Sequence, residues 1–390
     1  MACGHVSAQE WKLYRFEGRD YVSLENVATF YGLPAPPPLA PNANPAAVQG
    51  PPLPPAIAAP PPAPVPGPSP SASSDTKTVG MDEPSADSVA PSAEASGAKV
   101  ITLDNGKYQL AITLNSREAR INGVTQWLAF PASVQEGKVL ISRLDLSKTI
   151  EPRLRPEKMP GLKPVTTVVL DPGHGGHDHG AICKFGFEKD FALDVAMRAR
   201  DLLEKKGFRV IMTRSADIFI PLHERPAAAN HVADSIFVSI HFNAATSNSS
   251  ARGFEIYSCA PRGAPATNDG AFTARDLREE PGNTDDNSNT LLSGSIFHSL
   301  LGHVPLPDRG IKHARFAVLR LCTQPAVLIE GGFVTNSADS ALIASAAWRA
   351  EVAQSIVTGI ENYKELAEQH VAPKLMADYR RSESGTENVP

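Results

Sequence analysis

The spacing of apolar and polar residues divides the chain into three stretches. Near the N-terminus an alternating run, Lys12-Leu13-Tyr14-Arg15-Phe16, meets the turn residues Glu17-Gly18-Arg19-Asp20 and then Tyr21-Val22-Ser23-Leu24. This pattern predicts a hairpin and a short helix, with Ser23 as the N-cap and Gly32 at the helix end. One hairpin and one helix are too little to stand alone. Strand character resumes at Val100-Ile101-Thr102-Leu103, followed by the tight-turn signal Asp104-Asn105-Gly106 and further short strands through Leu140 and Ile141. The expectation is one small α+β domain, residues 9–33 plus 99–150, interrupted in the middle.

From Leu162 strands and helices alternate. Thr166-Thr167-Val168-Val169-Leu170 is a continuous apolar run, as in a strand covered on both faces. Residues 189–206 place Val195, Ala196, Ala199, Leu202 and Leu203 at helical spacing, and Gly207 stops the helix. Phe208-Arg209-Val210-Ile211-Met212-Thr213, Ile236-Phe237-Val238-Ser239-Ile240 and Ala326-Val327-Leu328-Ile329 are further strands, and 348–366 reads as a closing amphipathic helix. This alternation predicts an α/β catalytic domain over 165–370, with a mostly parallel twisted sheet flanked by helices. Residues 262–290 are polar and rich in Gly, Asp and Asn, and are expected to form a surface loop.

Composition explains the interruption. Of 35 prolines, 19 lie in the 65 residues 34–98, where large aliphatic and aromatic residues are few. That segment cannot bury enough apolar surface to offset the entropy of ordering, so a disordered Pro/Ala-rich insertion is expected. Residues 151–164, with Pro152, Pro156, Pro160 and Pro164, read as the linker between the domains, and 371–390 as a flexible tail. At the start, Val6-Ser7-Ala8 resembles the small-x-small end of a secretory signal, without the positive and apolar regions that should precede it, so 1–8 reads either as a signal-peptide remnant cleaved before Gln9 or as an ordinary cytosolic N-terminus. A net charge of −5 argues against a dedicated nucleic-acid binder. No run of about 18 apolar residues is present to cross a membrane. Four scattered cysteines form neither a disulfide framework nor a CxxC metal pair.

Chemistry concentrates where apolar strands end. Val168-Val169-Leu170-Asp171 runs into Pro172-Gly173-His174-Gly175-Gly176, Val238-Ser239-Ile240 into His241, and Val327-Leu328-Ile329 into Glu330-Gly331-Gly332. In open α/β sheets the site lies beyond the carboxyl ends of the strands, so these residues are expected to converge. Glu188, at the first turn of the helix over 189–206, leans towards the same edge. Two imidazoles and one carboxylate, with a fourth position left to water, suit a catalytic zinc ion. His174, Glu188 and His241 are therefore the candidate ligands of one Zn2+, and Glu330 the candidate acid/base. Read singly, each has an ordinary explanation. A strand-end histidine is often a hydrogen-bonded loop residue, and Glu188 also suits a helix N-terminus. Glu330 on an apolar strand is harder to explain that way, because a buried unpaired carboxylate is costly.

The motifs VVLDPGHGGHDHGAI, EKDFALDVAMRARDLLEKKGFRVIMTR, LHERPAAAN, DSIFVSIHFNA, RGFEIYS, DRGIKHARFAVLR and PAVLIEGGFVTN occur in this order. Over about 164–363 the chain thereby resembles the zinc-dependent N-acetylmuramoyl-L-alanine amidases. The resemblance implies zinc bound by His174, Glu188 and His241 and acid/base work by Glu330. The implied reaction is hydrolysis of the amide between the lactyl group of N-acetylmuramic acid and L-alanine in peptidoglycan. It further implies peptidoglycan as partner and an extracytoplasmic location. Asn243 and Arg309 lie in matching motifs and are candidate substrate-binding residues, although Asn243 equally suits tying a loop and Arg309 pairing a structural carboxylate. The family commonly has Lys and Pro where this chain has His177 and His179. Those histidines are read as surrounding the site or facing solvent, without a second metal. The small domain, through EGRDYVSLENVATFYGL and REARINGVTQWLAFPASVQEGKVLIS, resembles the stalk-like N-terminal repeat of copper amine oxidases, with no copper site implied. Two other classes stay open: a zinc carboxypeptidase acting on stem peptides, and a non-catalytic wall-binding protein.

Overall fold

The computed structural model describes residues 11–39, 99–245, 248–269 and 271–369. The candidate signal remnant at 1–8, residues 40–98 of the Pro-rich insertion and the tail at 371–390 lie outside the described residues. In the small domain, strands β1 (Leu13–Phe16) and β2 (Arg19–Ser23) form the expected hairpin and lead into helix α1 (Leu24–Tyr31). The Ser23 side chain accepts from the Asn26 N–H, and Gly32 ends the helix in the left-handed conformation. Strands β3 (Val100–Asp104), β4 (Gln109–Thr113), β5 (Glu118–Ile121) and β6 (Val124–Trp127) form an antiparallel meander. Strands β7 (Ser133–Gln135) and β8 (Lys138–Ser142) return to β2, giving the sheet order β1-β2-β8-β7. Leu24, Val27, Ile101, Leu110, Ile112 and Ile141 pack between the two sheets as one core.

The second domain is built on β9 (Thr167–Pro172), β12 (Arg209–Met212), β13 (Ser235–Asn243), β14 (Phe254–Cys259), β15 (Asp308–Ala314) and β16 (Ala326–Phe333). Strands β12, β9, β13 and β16 are parallel; β14 runs antiparallel to β16, and β15 runs parallel to β14. A two-residue ladder, β10 (Ile182–Cys183) with β11 (Gly186–Phe187), precedes the first long helix. Three long helices cover one face through a single apolar core, as a half-buried helical stripe requires. These span Glu188–Lys205, Asp286–His303 and Ala346–Gln369. On the opposite face Phe237, Tyr257 and Leu328 of the sheet are covered by the short helices Ala227–Asn230 and Ala317–Arg320 and by loop residues such as Leu222 and Phe316. No helix among the described residues is long and apolar enough to cross a membrane.

Two features depart from the expected organisation. The segment expected as a surface loop ends inside a buried element, because the helix Asp286–His303 starts at Asp286 and is covered on nearly all sides. Some of its polar residues are bonded internally: Asn289 donates to the Gly282 carbonyl and accepts from the Ala326 N–H, and Ser293 donates to the Thr290 carbonyl. Polarity there does not mark solvent exposure, because small polar residues pack inside and part of them find internal partners.

The second departure is the junction. The ten-stranded sheet runs β12-β9-β13-β16-β14-β15-β6-β5-β4-β3, so the meander of the small domain continues the catalytic sheet. Residues 151–164, expected as a linker, begin with a docked helix, Glu151–Leu154. Its Arg153 is buried and donates to Ser293 at 2.9 Å. The guanidinium fills the space above Gly294, where a Cβ would meet Arg153 Nη1 at 1.6 Å. Lys148 pairs with Asp286 at 2.9 Å, and Arg117 donates to the carbonyls of Pro265, Ala266 and Thr267. Prolines in this segment start short helical turns here instead of marking free chain.

Two outcomes follow from this packing. Gly294→Ala is expected to lower Tm by roughly 3–10 °C through overpacking against Arg153; an unchanged thermal scan would place Arg153 outside that gap. Burial holds the His298 imidazole neutral, pushing it from 6.5 down to about 4. The unfolded chain then binds more protons than the folded one between those values, so stability present above about pH 6.5 is lost on acidification towards pH 4. A His298→Gln chain should show a flatter dependence of Tm on pH across that window.

Candidate metal centre

The site is organised by the loop that follows β9. Asp171, fully buried, accepts from Thr213 Oγ1 at 2.6 Å, Ser239 Oγ at 2.8 Å and Arg225 Nη1 at 3.0 Å. Beyond it His174, Gly175 and Gly176 all have positive φ, at 58°, 126° and 61°. For histidine this is a strained backbone, costing of order 1–3 kcal/mol. Two buried arginines hold it. Arg225 donates to the carbonyls of Pro172 and His174, and Arg214 to those of Pro172, Gly173 and Lys189.

This loop delivers His174 to Glu188, which enters from the first turn of its helix. His174 Nε2 lies 3.0 Å from Glu188 Oε1, and His241 Nδ1 lies 3.1 Å from the same oxygen. The two imidazole rings stand 4.9 Å apart at 73°. Glu188 also accepts from the Ala181 and Phe242 N–H groups, both at 2.9 Å. Burial alone would raise the Glu188 carboxyl, but the His174 and His241 imidazoles outweigh it and hold it well below the usual range. His174 Nδ1 lies 2.8 Å from Asp178 Oδ2, so the ring's Nδ1–H is spent on Asp178 and Nε2 is left for a ligand. Crowding is extreme at two glycines. A Cβ on Gly173 would meet His241 Cε1 at 2.2 Å, and one on Gly180 would meet Glu188 Oε2 at 2.6 Å.

His174, Glu188 and His241 form the one group of three metal-ligating side chains among the described residues, with ligand atoms within 4.8 Å of one another. Two nitrogens, one carboxylate, an orienting carboxylate behind a histidine and backbone donors on the acid together suit a divalent metal of the zinc type. His177 and His179 lie outside this group, stacking instead on Phe219 at 4.3 Å and on Phe187 at 4.6 Å.

Glu330 is buried on β16 and sits in one row across the sheet, paired with His241 on one side and with Glu255 on the other. Asn243 and Arg309, the candidate substrate residues, both bond Glu255: Asn243 Nδ2 at 2.8 Å and Arg309 Nε at 2.8 Å. Burial would raise Glu255, but Lys312 and then Arg309 outweigh it and push it down to about 2. Sequence reasoning passed over Glu255, Asp178, Arg214 and Arg225. Glu255 carried the same signal as Glu330, an acid inside an apolar strand; Asp178 lay between the two histidines that drew attention.

A family model described as N-acetylmuramoyl-L-alanine amidase, Amidase_3, matches residues 168–362. The chain belongs to this amidase family. Among curated relatives, the amidase AmiC of Neisseria meningitidis is 35% identical over 229 residues, covering 52% of this chain and 53% of the relative. AmiA of Escherichia coli K12 is 34% identical over 246 residues, covering 57% of this chain and 84% of the relative. The solved amidase AmiC2 of Nostoc punctiforme is 31% identical, covers 52% of this chain and 98% of that one, and superposes with a TM-score of 0.43. The match thus spans about half the length of the AmiC relative. Within the amidase domain, Asp178 is the residue whose contribution to the centre is easiest to isolate. Asp178→Asn is expected to weaken divalent-metal binding at this candidate centre by about 10- to 100-fold in a calorimetric titration; unchanged affinity would leave His174 oriented by the backbone alone.

Proposed function

We propose that this chain hydrolyses the amide between the lactyl group of N-acetylmuramic acid and L-alanine of the peptidoglycan stem, using one zinc ion, in an extracytoplasmic compartment. The observation that carries this reading is the convergence of His174, Glu188 and His241 beside Glu330, in a domain that belongs to the amidase family. The curated relatives named as N-acetylmuramoyl-L-alanine amidases supply the bond type. His174, Glu188 and His241 would hold the metal. When bound, zinc supplies Lewis-acid polarisation of the scissile carbonyl and makes water more acidic. Glu330 then has the two proton tasks: it removes a proton from the attacking water and delivers one to the departing amine of L-alanine. The buried strand that carries Glu330 keeps its carboxylate fixed relative to His241, which spares reorganisation during the reaction.

All four positions needed for chemistry are present, which favours an enzyme over a wall-binding protein that has lost activity. A carboxypeptidase would use the same ligands, and products separate the two. Purified peptidoglycan digested by the full chain with zinc should yield glycan whose muramic acids carry free lactyl carboxyl groups, and intact stem peptides, on mass spectrometry. Cut stems on intact lactyl amides would overturn the assignment. Glu330→Gln should lower turnover by about 10²- to 10⁴-fold while zinc content stays at the parent level; parent-like turnover would remove Glu330 from the acid/base role.

A further inference from the structure

Next to the metal centre lies a second buried charge cluster that the chemistry above leaves without a task. Its hub is Glu255 on β14, which is 1% exposed. Oε2 accepts from Arg309 Nε at 2.8 Å and Lys312 Nζ at 2.5 Å; Oε1 accepts from Asn243 Nδ2 at 2.8 Å and the Tyr257 hydroxyl at 2.7 Å. Four donors on one carboxylate make a fully satisfied network. Such networks add little stability over apolar packing, but they specify geometry.

What the network is placed to specify is Glu330. Glu255 and Glu330 are direct partners in the antiparallel pairing of β14 with β16. Side chains opposed in this way have Cβ atoms about 4.5–5.5 Å apart on one face of the sheet. Two acids so close and so buried cannot both ionise without a cation beside them, and the two cations on Glu255, Arg309 and Lys312, come from β15.

Strand β15 is also where the small domain grips the catalytic sheet. Gln126 of β6 pairs with Ile311 of β15. Thr125 donates through its N–H and its hydroxyl to Asp308, and Trp127 Nε1 donates to the Arg309 carbonyl at 3.0 Å. The Trp127 ring covers Lys312, whose Nζ lies 5.7 Å from its centroid and 5.7 Å from that of Tyr257. The lysine is thus roofed by one aromatic ring from each domain.

We propose that the small domain is a working part of the catalytic centre: Trp127 fixes Arg309 and Lys312, and these, through Glu255, fix Glu330. Trp127, Arg309, Lys312 and Glu255 are positioning residues, and the inference rests on Glu330 being the acid/base. It differs from a stalk or a targeting module because it makes turnover depend on one side chain of that domain.

The test uses the full chain with Trp127→Ala and Trp127→Phe. Trp127→Ala should lower kcat on peptidoglycan about tenfold, the worth of a well-packed cation–aromatic contact and its hydrogen bond, with KM within about twofold. Zinc content should match the parent. Amide exchange across Ala326–Phe333 should be faster while that of Thr167–Pro172 is unchanged. Trp127→Phe, which keeps a ring over Lys312, should recover most of both effects. Parent-like kcat in Trp127→Ala, exchange confined to β6 and β15, or no recovery with phenylalanine would overturn the proposal. If the parent itself releases no stem peptide, the amidase reading fails, and the exchange comparison alone decides whether Trp127 reaches the strand of Glu330.

Discussion

Three successive residues in the left-handed half of backbone space, His174 to Gly176, set the first candidate metal ligand, and the centre depends on whatever keeps them there. Relaxation of that turn would swing His174 away from Glu188. Arg214 and Arg225 prevent this by bonding the carbonyls of Pro172, Gly173 and His174, which a strand end would otherwise leave without partners. Asp171 supplies the counter-charge for Arg225 and is itself held by Thr213 and Ser239. Burial lowers the Arg214 pKa, with Arg225 adding to the effect, so this clamp is an electrostatically demanding arrangement retained for geometry.

The same logic recurs one strand further along. His241, Glu330 and Glu255 share a row across three strands, so a candidate metal ligand, an acid/base candidate and a charge hub are held at sheet spacing. Two of them are fixed by groups remote in sequence: Glu188 for His241, and Lys312 and Arg309 for Glu255. Strands β13 and β16 are parallel and deliver His241 and Glu330 from their carboxyl halves, while β14 runs the other way and presents Glu255 there from its N-terminal end.

Much of this was legible in the residues. Apolar runs that stop at His174, His241 and Glu330 placed three strands and their chemistry together, and the position of Glu188 after a glycine-bearing loop placed the fourth group. Ser23 and Gly32 gave the small-domain helix its ends. What stayed hidden depends on contacts between distant segments. Nothing in local pattern distinguishes Arg214 and Arg225, buried against carbonyls, from arginines on a surface. The helix Asp286–His303 was obscured because its serines and asparagines look solvent-facing until their internal partners are known. Proline spacing in 151–164 suggested loose chain, whereas Arg153 finds its place only once Gly294 of another element lies opposite.

The continuity of the sheet across the two domains has a practical side. In the whole protein the outer side of β15 is met by β6. A fragment beginning after residue 164 would present that side to solvent as an open strand edge, with a vacant notch over Gly294 beside it. Open edges of this kind recruit other chains, and the remedies are short length, charge or a covering segment. Here the covering segment is the small-domain meander, which carries the sheet edge away from β15 and the catalytic residues to β3.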